Sequence, residues 1–346
     1  MPDLYSFLGM PSPTPSASQT ENGKAFEYAC LLALKNALQG KTVVLVPSSP
    51  QLSTAVAFYN GIKPDLRINL DLAAKAAAKT LISMEPNLSY GLNPQEPVYL
   101  SLQADSAGTK GDVRDVVCVR QGRWNVGISC KHDHGAVKHS RLSKTINFGK
   151  EWLGLGCSQQ YFDEIDPIFD KLISIRGNFV KNDPLCPKFE DIPNKEDDIY
   201  YPILIAFKKE LLRLDASQRA SSSDPNLVPR ELIKYLFGRN DFYKVTSDDK
   251  DKLTTIRAIN LYGTLGKSSA DGHKGICGIP QIPLPTKFLS INFFENRKNT
   301  LEVTLDHGWA LTLRIHNASK EVESSLKFDV QAESYSSAGF VQTIPW

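Results

Sequence analysis

Apolar residues recur along the chain in two patterns, one typical of helices and the other typical of strands. Helical spacing and helix-forming residues mark KAFEYACLLALKNALQ from Lys24, LAAKAAAKTLISM from Leu72, CSQQYFDEIDPIFDKLISIRG from Cys157 and YPILIAFKKELLRL from Tyr201. Apolar or β-branched runs typical of strands are TVVLVPSS from Thr42, VYLSLQA from Val98, VRDVVCVR from Val113 and WNVGISCK from Trp124. The interleaving of the two patterns predicts an α/β fold.

Strand patterns dominate again in the last third of the chain. They comprise KFLSINFF, TLEVTLDH, WALTLRIHNAS and SLKFDVQ. Between the two strand-rich regions, the segment HSRLSKTINFGKEWLG shows apolar spacing that predicts a helix. Together with polar breaks near residue 181, these patterns predict a flexible segment over 1–21, a core domain over 22–180, and a helical insertion with a C-terminal β-rich region over 181–346.

Composition narrows the class of protein only slightly. The 346 residues are 41% hydrophobic and 23% charged, which is typical of a folded domain. The net charge of +2 means that any surface for nucleic acid must arise from local clustering of Lys and Arg. The six cysteines lack C-x-x-C spacing, and no apolar run is long enough for a membrane span. We therefore expect a cytoplasmic protein with reduced thiols.

Three charged residues, Glu27, Asp115 and Lys131, occupy notable positions in the predicted elements. Gln121-Gly122-Arg123 predicts a hairpin turn, so Asp115 near the start of one strand and Lys131 at the end of the next can meet at one sheet edge. Glu27 interrupts the apolar stretch AFEYACLLAL, where an ionised side chain is expensive unless it is paired or metal-bound.

This combination suits the hydrolysis of a phosphodiester. Carboxylate oxygens bind Mg²⁺, which polarises the phosphate, and a nearby ammonium orients water or stabilises negative charge. The alternative is that the three residues simply emerge at the ends of elements, with Asp115 in a surface ion pair with Arg114 or Arg120. The spacing leaves both interpretations open.

A resemblance favours the nuclease. GDVRDVVCVR followed by WNVGISCK resembles the PD-(D/E)XK nuclease core, and GDVRDVV, ISCKHDHGAVKHSRLS and FGKEWLG resemble the HaeIII-type restriction endonucleases. Further similar segments extend the resemblance over most of residues 22–332. It implies a central mixed sheet flanked by helices, and a Type II enzyme that cuts double-stranded DNA with Mg²⁺ at GGCC, leaving blunt ends with a 5′-phosphate.

The resemblance also implies roles for individual residues. Asp115 falls on the aspartate of the motif, Ser129 on its second acidic position, Cys130 on its variable position and Lys131 on its lysine, while Glu27 matches a glutamate on the preceding helix. Because the Ser129 hydroxyl carries no charge, the missing carboxylate must come from elsewhere. Glu27 and Asp112 are the candidates, and the backbone carbonyl of Cys130 is a further candidate oxygen ligand for the metal.

Several polar residues are candidates for contact with DNA. Lys138, His139, Ser140 and Arg141 follow the motif lysine closely, where they would hold phosphates. Arg314 and Asn317 lie on or beyond a strand with one polar face, and Arg239, Asn240 and Lys244 are equal candidates. A zinc site built from His132, His134 and His139 is a weaker alternative, because no cysteine pair accompanies the three histidines.

Two other functions compete with the restriction enzyme. A repair or recombination nuclease shares the same core, and a catalytically silent DNA-binding protein would explain the serine at position 129. A palindromic target favours a homodimer on symmetry grounds, although a monomer that cuts the two strands in succession is the alternative. A restriction system also implies a cognate DNA methyltransferase as a functional partner.

Overall fold

The computed structural model describes residues 19–93, 95–104, 111–120, 122–132, 138–180, 183–221, 223–335 and 339–346. The α-helices are α1 (Gln19–Leu38), α2 (Pro50–Gly61), α3 (Pro64–Met84), α4 (Pro86–Ser89), α5 (Gln159–Arg176), α6 (Tyr201–Ser221) and α7 (Leu227–Phe237). The strands are β1 (Val44–Leu45), β2 (Val98–Leu102), β3 (Val116–Arg120), β4 (Trp124–His132), β5 (Lys138–Leu142), β6 (Phe242–Asp248), β7 (Leu253–Ile259), β8 (Phe288–Phe293), β9 (Thr300–Leu305), β10 (Trp309–His316), β11 (Leu326–Tyr335) and β12 (Val341–Pro345). These elements confirm the α/β class.

A seven-stranded mixed sheet holds the predicted motif. Its strand order is β1-β2-β3-β4-β6-β7-β12, in which β1 with β2 and β4 with β6 are parallel pairs and the other neighbours are antiparallel. The pairing of Val116 with Ile128 and of Arg120 with Trp124 confirms the predicted hairpin. Asp115 immediately precedes β3, opposite the half of β4 that ends in Lys131.

Helices α1 and α3 cover one face of this sheet. Their small and aliphatic residues pack against the buried side chains of Ile128 and Cys130 on β4 and Val245 on β6, and together they form one hydrophobic core. This packing carries the stretch around Glu27 against the sheet next to the β3–β4 hairpin. The predicted helices over 24–39 and 72–84 are thus confirmed.

An antiparallel sheet of five strands, ordered β5-β11-β10-β9-β8, forms the second layer. One of its faces packs on α5, α6 and α7 in a second core that includes Trp309, Leu313 and Phe328. Strand β5 joins this sheet directly after the chain leaves β4, so the predicted catalytic strand is covalently close to the second sheet.

The structure corrects the expected helix over HSRLSKTINFGKEWLG. Lys138–Leu142 is a strand that pairs with β11, and within that segment only Gly149–Leu153 is helical, as a π-helical turn. Strands β6, β7 and β12 were not predicted, and the first two lie next to the motif strand. Both sheets take strands from either side of residue 181, while the predicted division into domains stays a prediction.

Three further expectations concern the N-terminal segment, membrane spans and the cysteines. Residues 1–18, most of the expected flexible segment, are not described, and α1 already begins at Gln19. Among the described residues, no helix is long and apolar enough to cross a membrane. The six cysteines are free thiols.

Candidate active site

The carboxylate of Asp115 is the centre of the candidate site. Its Oδ2 accepts hydrogen bonds from the backbone N–H of Cys130 at 2.7 Å and from the hydroxyl of Ser129 at 3.2 Å. The ammonium of Lys131 lies 3.4 Å from the same oxygen. The antiparallel hairpin therefore brings the acid and the amine together at one sheet edge, and the side chains of both remain partly exposed.

Glu27 supplies a second carboxylate beside this pair. The residue is only 7% exposed on α1, and the ammonium of Lys24, one helical turn earlier, lies 3.1 Å from its Oε2. Burial, followed by the negative charge of Asp115, raises the pKa of Glu27 to about 7. Two neighbouring carboxylates, one of them largely buried, are oxygen ligands that suit a bound cation in addition to Lys24 and Lys131.

A small cavity opens on the helical side of Glu27. It has a volume of about 190 Å³ and is lined by Lys24, Glu27, Pro50, Gln51, Thr54 and Ala104. Polar side chains and a volume of this size are compatible with several water molecules. The acid is therefore buried by α1 and yet lies beside a space open to solvent.

Basic residues of the neighbouring strands β6 and β7 lie next to Ser129. Ser129 pairs with Lys244 of β6, and Lys244 pairs with Arg257 of β7, so these side chains form one cross-strand row. Burial, followed by the charges of Lys131 and Arg257, lowers the pKa of Lys244 to about 8. A row of cations next to an acidic pair is an arrangement that suits a DNA phosphate.

The remaining predicted metal ligands differ in their surroundings. Asp112 is bound by Arg114, whose Nη2 and Nε lie 2.6 Å and 2.7 Å from its carboxylate oxygens. Burial acts to raise the pKa of Asp112, but the hydrogen bonds from Arg114 and Gln103 act more strongly, so the pKa is lowered. A hydrogen bond with Cys30 and burial raise the pKa of the Cys130 thiol well above its ordinary value, which leaves its backbone carbonyl as the candidate ligand.

Gly127 explains how Arg114 reaches its partners. A Cβ built at Gly127 would lie 1.9 Å from Cδ of Arg114, so the arginine crosses β4 at a position where only glycine fits. Beyond the crossing, the guanidinium reaches Oδ1 of Asn125 at 2.7 Å. Arg114 therefore anchors the loop that leads into Asp115.

The structure separates the predicted DNA contacts into different places. Arg141 is exposed at 45% of its side chain and binds Glu323, whereas Ser140 is buried on the core face beside Phe328. The side chains of Lys138 and His139 lie outside the described part of the structure. Arg239 and Asn240 line a polar cavity of about 590 Å³ with Trp124, at the end of β4 opposite Lys131.

Arg314 and Asn317 also have different surroundings. The guanidinium of Arg314 binds Asp329 at 2.9 Å and remains half exposed. The amide of Asn317 donates to the carbonyl oxygens of Ser319 at 2.6 Å and Glu321 at 2.7 Å, and therefore holds its own loop together.

The three histidines of the zinc hypothesis cannot be compared directly. His134 and the side chain of His139 lie outside the described residues, while Nδ1 of His132 lies 3.0 Å from the hydroxyl of Ser247. Within the described part of the chain, no group of three or more His, Cys, Asp or Glu side chains is placed to hold a metal.

Sequence reasoning missed Lys24, Arg257 and Asp329. Lys24 carries a detectable signal, because it stands three positions before a buried glutamate on a helix, where the two side chains share a face. Arg257 and Asp329 carry none, since their relevance depends on the strand pairings of β7 and β11.

Comparisons with known proteins identify the family of the chain. A model of the HaeIII restriction endonuclease family matches residues 23–334. The Type II restriction enzyme HaeIII of Haemophilus aegyptius is 36% identical over 332 residues, which cover 96% of this chain and 99% of that protein. No solved structure matches the chain. Because both the motif segments and the match extend over nearly the whole sequence, the chain belongs to the HaeIII restriction endonuclease family.

Proposed function

We propose that the protein is a Type II restriction endonuclease that hydrolyses double-stranded DNA at GGCC and leaves blunt ends with 5′-phosphates. The observation that carries this proposal is the Asp115 carboxylate, bound by Cys130 N–H and Ser129 and lying 3.4 Å from the ammonium of Lys131, with Glu27 as a second acid beside it. The target and the position of the cut come from the relative's name and from the family resemblance. We further propose that the seven-stranded sheet with α1 is a PD-(D/E)XK core.

The donor set fits a Mg²⁺ ion. Mg²⁺ keeps several water ligands and needs only one or two protein carboxylates besides the phosphate, so Asp115 and Glu27 suffice without an acid at Ser129. Burial and the charge of Asp115 raise the pKa of Glu27, and a cation bound to the two carboxylates would favour its ionised form. When bound there, the ion would supply Lewis-acid activation of the phosphate and of a water molecule.

The chain's own residues orient and neutralise the reacting groups. Lys131 holds a positive charge next to the phosphate oxygens, where negative charge increases in the transition state. The Cys130 N–H and the Ser129 hydroxyl fix the orientation of Asp115, and in this proposal the buried Glu27 accepts a proton from the attacking water. Water adds to phosphorus as it gives a proton to Glu27, and the P–O3′ bond breaks. The phosphate remains on the 5′ end of the downstream fragment, and the leaving O3′ takes a proton from solvent water to become a hydroxyl.

The serine of the motif has a structural role in this proposal. Ser129 is 3% exposed, and its hydroxyl donates to Asp115 at 3.2 Å. An aspartate in its place would add a third negative charge at close range, which would further raise the pKa values of the neighbouring acids. We therefore propose that Ser129 positions Asp115, while Glu27 replaces the motif's second acid.

The remaining parts of the proposal follow from the substrate. A palindromic target suits a homodimer in which two copies each cut one strand. A host that contains such an enzyme needs a DNA methyltransferase that protects the same site, and cytoplasmic DNA is the substrate.

Digestion of a plasmid of known sequence tests the proposed function. We expect discrete fragments in Mg²⁺ and none in EDTA, and sequencing of the fragment ends should place every cut between the central G and C of GGCC. Fragments at another sequence would contradict the target alone. Structure-dependent nicks, or specific binding without cleavage in both Mg²⁺ and Mn²⁺, would contradict the restriction enzyme.

A further inference from the structure

The five-stranded sheet has one face that does not pack against the helices. Along β10, Leu311, Leu313 and Ile315 are fully buried in the core, while Arg314 between them is exposed. The pairing of Arg314 with Asp329, and of His316 with Lys327, places all four side chains on the opposite, polar face.

Asp329 organises this polar face. Its Oδ2 accepts hydrogen bonds from Nη2 of Arg314 at 2.9 Å and from Nε2 of His316 at 2.8 Å, and its Oδ1 lies 3.4 Å from the ammonium of Lys327. The residue itself is only 7% exposed. A carboxylate that is nearly removed from solvent thus holds three basic side chains in fixed positions.

The exposure of the basic residues shows which of them can meet a partner. Half of the Arg314 side chain is exposed, compared with 26% for His316 and for Lys327. A guanidinium has five N–H donors in a planar fork, so donors remain accessible after one binds Asp329. Asp329 therefore fixes the orientation of the Arg314 guanidinium and leaves part of it exposed.

We propose that Arg314, held in orientation by Asp329 and flanked by His316, reads base edges of the DNA target from the polar face of the five-stranded sheet. Asp329 is a positioning residue in this proposal, because it acts through Arg314. The inference rests on the proposed function, since it assumes a sequence-specific DNA substrate.

The fixed orientation of the guanidinium suits contact with a base edge. A guanidinium held by a buried carboxylate presents donors in a defined direction, which can match O6 and N7 of guanine. The proposed target GGCC contains two such guanines on each strand.

The position of the face supports the same partner. Strand β5, which directly follows the catalytic strand β4 along the chain, pairs with β11, and β11 pairs with β10. Because neighbouring strands are about 5 Å apart, Arg314 on β10 lies roughly 10 Å across the sheet from β5, the strand that follows β4 in the sequence.

Equilibrium binding by full-length Lys131→Ala protein tests the proposal without cleavage. The probes are a GGCC duplex, duplexes with one changed base pair, and unrelated DNA, all at one fixed salt concentration. We expect Arg314→Ala and Arg314→Lys to lower the preference for GGCC by roughly 5- to 150-fold, the range for one lost bidentate contact. Affinity for unrelated DNA should change much less.

Asp329→Asn tests the positioning role. It should lower the same preference by a similar factor, and the Asp329→Asn/Arg314→Ala double variant should lose little more than either single variant, because both changes remove one interaction. Glu302→Gln is the matched control, since Glu302 is an exposed acid on the same face of β9, paired with Thr312, and should keep the preference. If Asp329→Asn does not fold, Asp329→Glu replaces it, because the longer side chain keeps the charge but displaces the fork.

Several outcomes would overturn the inference. An unchanged preference in the Arg314 variants removes the base contact, and an unchanged preference in the folded Asp329 variant removes the positioning role. Normal behaviour of Arg314→Lys with loss in Arg314→Ala indicates a phosphate contact instead. A changed sedimentation coefficient in Arg314→Ala indicates an interface between copies. If the Lys131→Ala protein shows no preference for GGCC before any of these changes, the proposed function itself has failed.

Discussion

Two aspartates organise the two sheets of this protein, and their surroundings differ in one informative respect. Asp115, at the edge of the seven-stranded sheet, accepts hydrogen bonds from Cys130 N–H and Ser129, with Lys131 at 3.4 Å. Asp329, on the five-stranded sheet, accepts from Arg314 and His316, with Lys327 at 3.4 Å. Both acids have basic partners, but Asp115 also has a second acid beside it, Glu27, whose pKa is raised by burial and by the charge of Asp115.

The difference in local charge indicates a difference in ligand. At Asp115 a second carboxylate lies close by, and two neighbouring carboxylates are oxygen ligands that suit an added cation, even with Lys131 and Lys24 beside them. At Asp329 the basic groups outnumber the acid, and the surface favours a partner rich in hydrogen-bond acceptors, such as the guanine edge. In our proposals, similar side chains thus serve catalysis on one sheet and recognition on the other.

Lys131→Ala should give the largest effect. Removing the ammonium beside Asp115 takes away charge stabilisation in the transition state, and we expect cleavage of GGCC plasmid to fall by about 10²–10⁴-fold. Binding of the GGCC duplex should persist, as measured by fluorescence anisotropy. Lys150→Ala, a substitution of an exposed lysine outside the site, is the control and should cleave normally. Normal cleavage by Lys131→Ala would contradict the catalytic assignment.

Glu27→Gln should give the next largest effect on cleavage and an opposite effect on stability. Loss of one of two metal-binding acids should reduce cleavage by roughly 10²–10³-fold, with a higher Mg²⁺ concentration needed for half-maximal rate. The metal-free protein should become more stable, because glutamine no longer has to be ionised in a buried site.

The sign of this stability effect follows from the raised pKa of Glu27. A folded-state pKa of about 7, against an unfolded value near 4.5, means that the folded wild type retains the proton over this interval. Stability therefore decreases as the pH rises from about 4.5 to 7 and stays low above it. In urea denaturation without metal, Glu27→Gln should exceed the wild type by roughly 1–3 kcal/mol at pH 8 and match it at pH 4. A less stable variant at pH 8 would contradict the repulsion between the two acids.

Lys244→Gln should weaken DNA binding without abolishing the preference for GGCC. The residue lies in the cross-strand row beside Ser129, and phosphate contacts contribute affinity that is independent of sequence. We expect a several-fold loss for specific and unrelated DNA alike, and a decrease of about one in the slope of log affinity against log salt. A loss confined to GGCC would indicate that Lys244 reads bases.

Sequence reasoning found Asp115, Lys131, Glu27 and Arg314 but missed Asp329, because the signals of the first four are local and that of Asp329 is not. Asp115 and Lys131 are separated by one hairpin turn, and Glu27 is a charged residue in an otherwise apolar stretch of helix. Each therefore has a signal within its own segment. Asp329 becomes relevant only through its pairing with β10, which no local pattern encodes.

The same distinction explains the errors in secondary structure. Lys138–Leu142 contains few apolar residues, and its strand depends on pairing with β11, so the sequence spacing suggested a helix. Strands β6 and β7 were missed although Val245 and Ile256 are fully buried, because a short polar turn interrupts the pattern between them. The domain division and the assignment of individual DNA contacts stay predictions.

Asn317→Ala should have the smallest effect on recognition and a measurable effect on folding. Its amide nitrogen donates to the carbonyl oxygens of Ser319 and Glu321, and its Oδ1 accepts from the N–H of Glu323 at 3.3 Å. Loss of these hydrogen bonds leaves backbone groups unpaired, and we expect a decrease of about 1–3 kcal/mol in the free energy of unfolding. Asn292→Ala, which removes an exposed amide on β8, is the matched control and should change stability little. If Asn317→Ala instead keeps its stability and loses the preference for GGCC, then Asn317 contacts DNA together with Arg314. The DNA-binding group would then extend beyond the side chains that Asp329 holds.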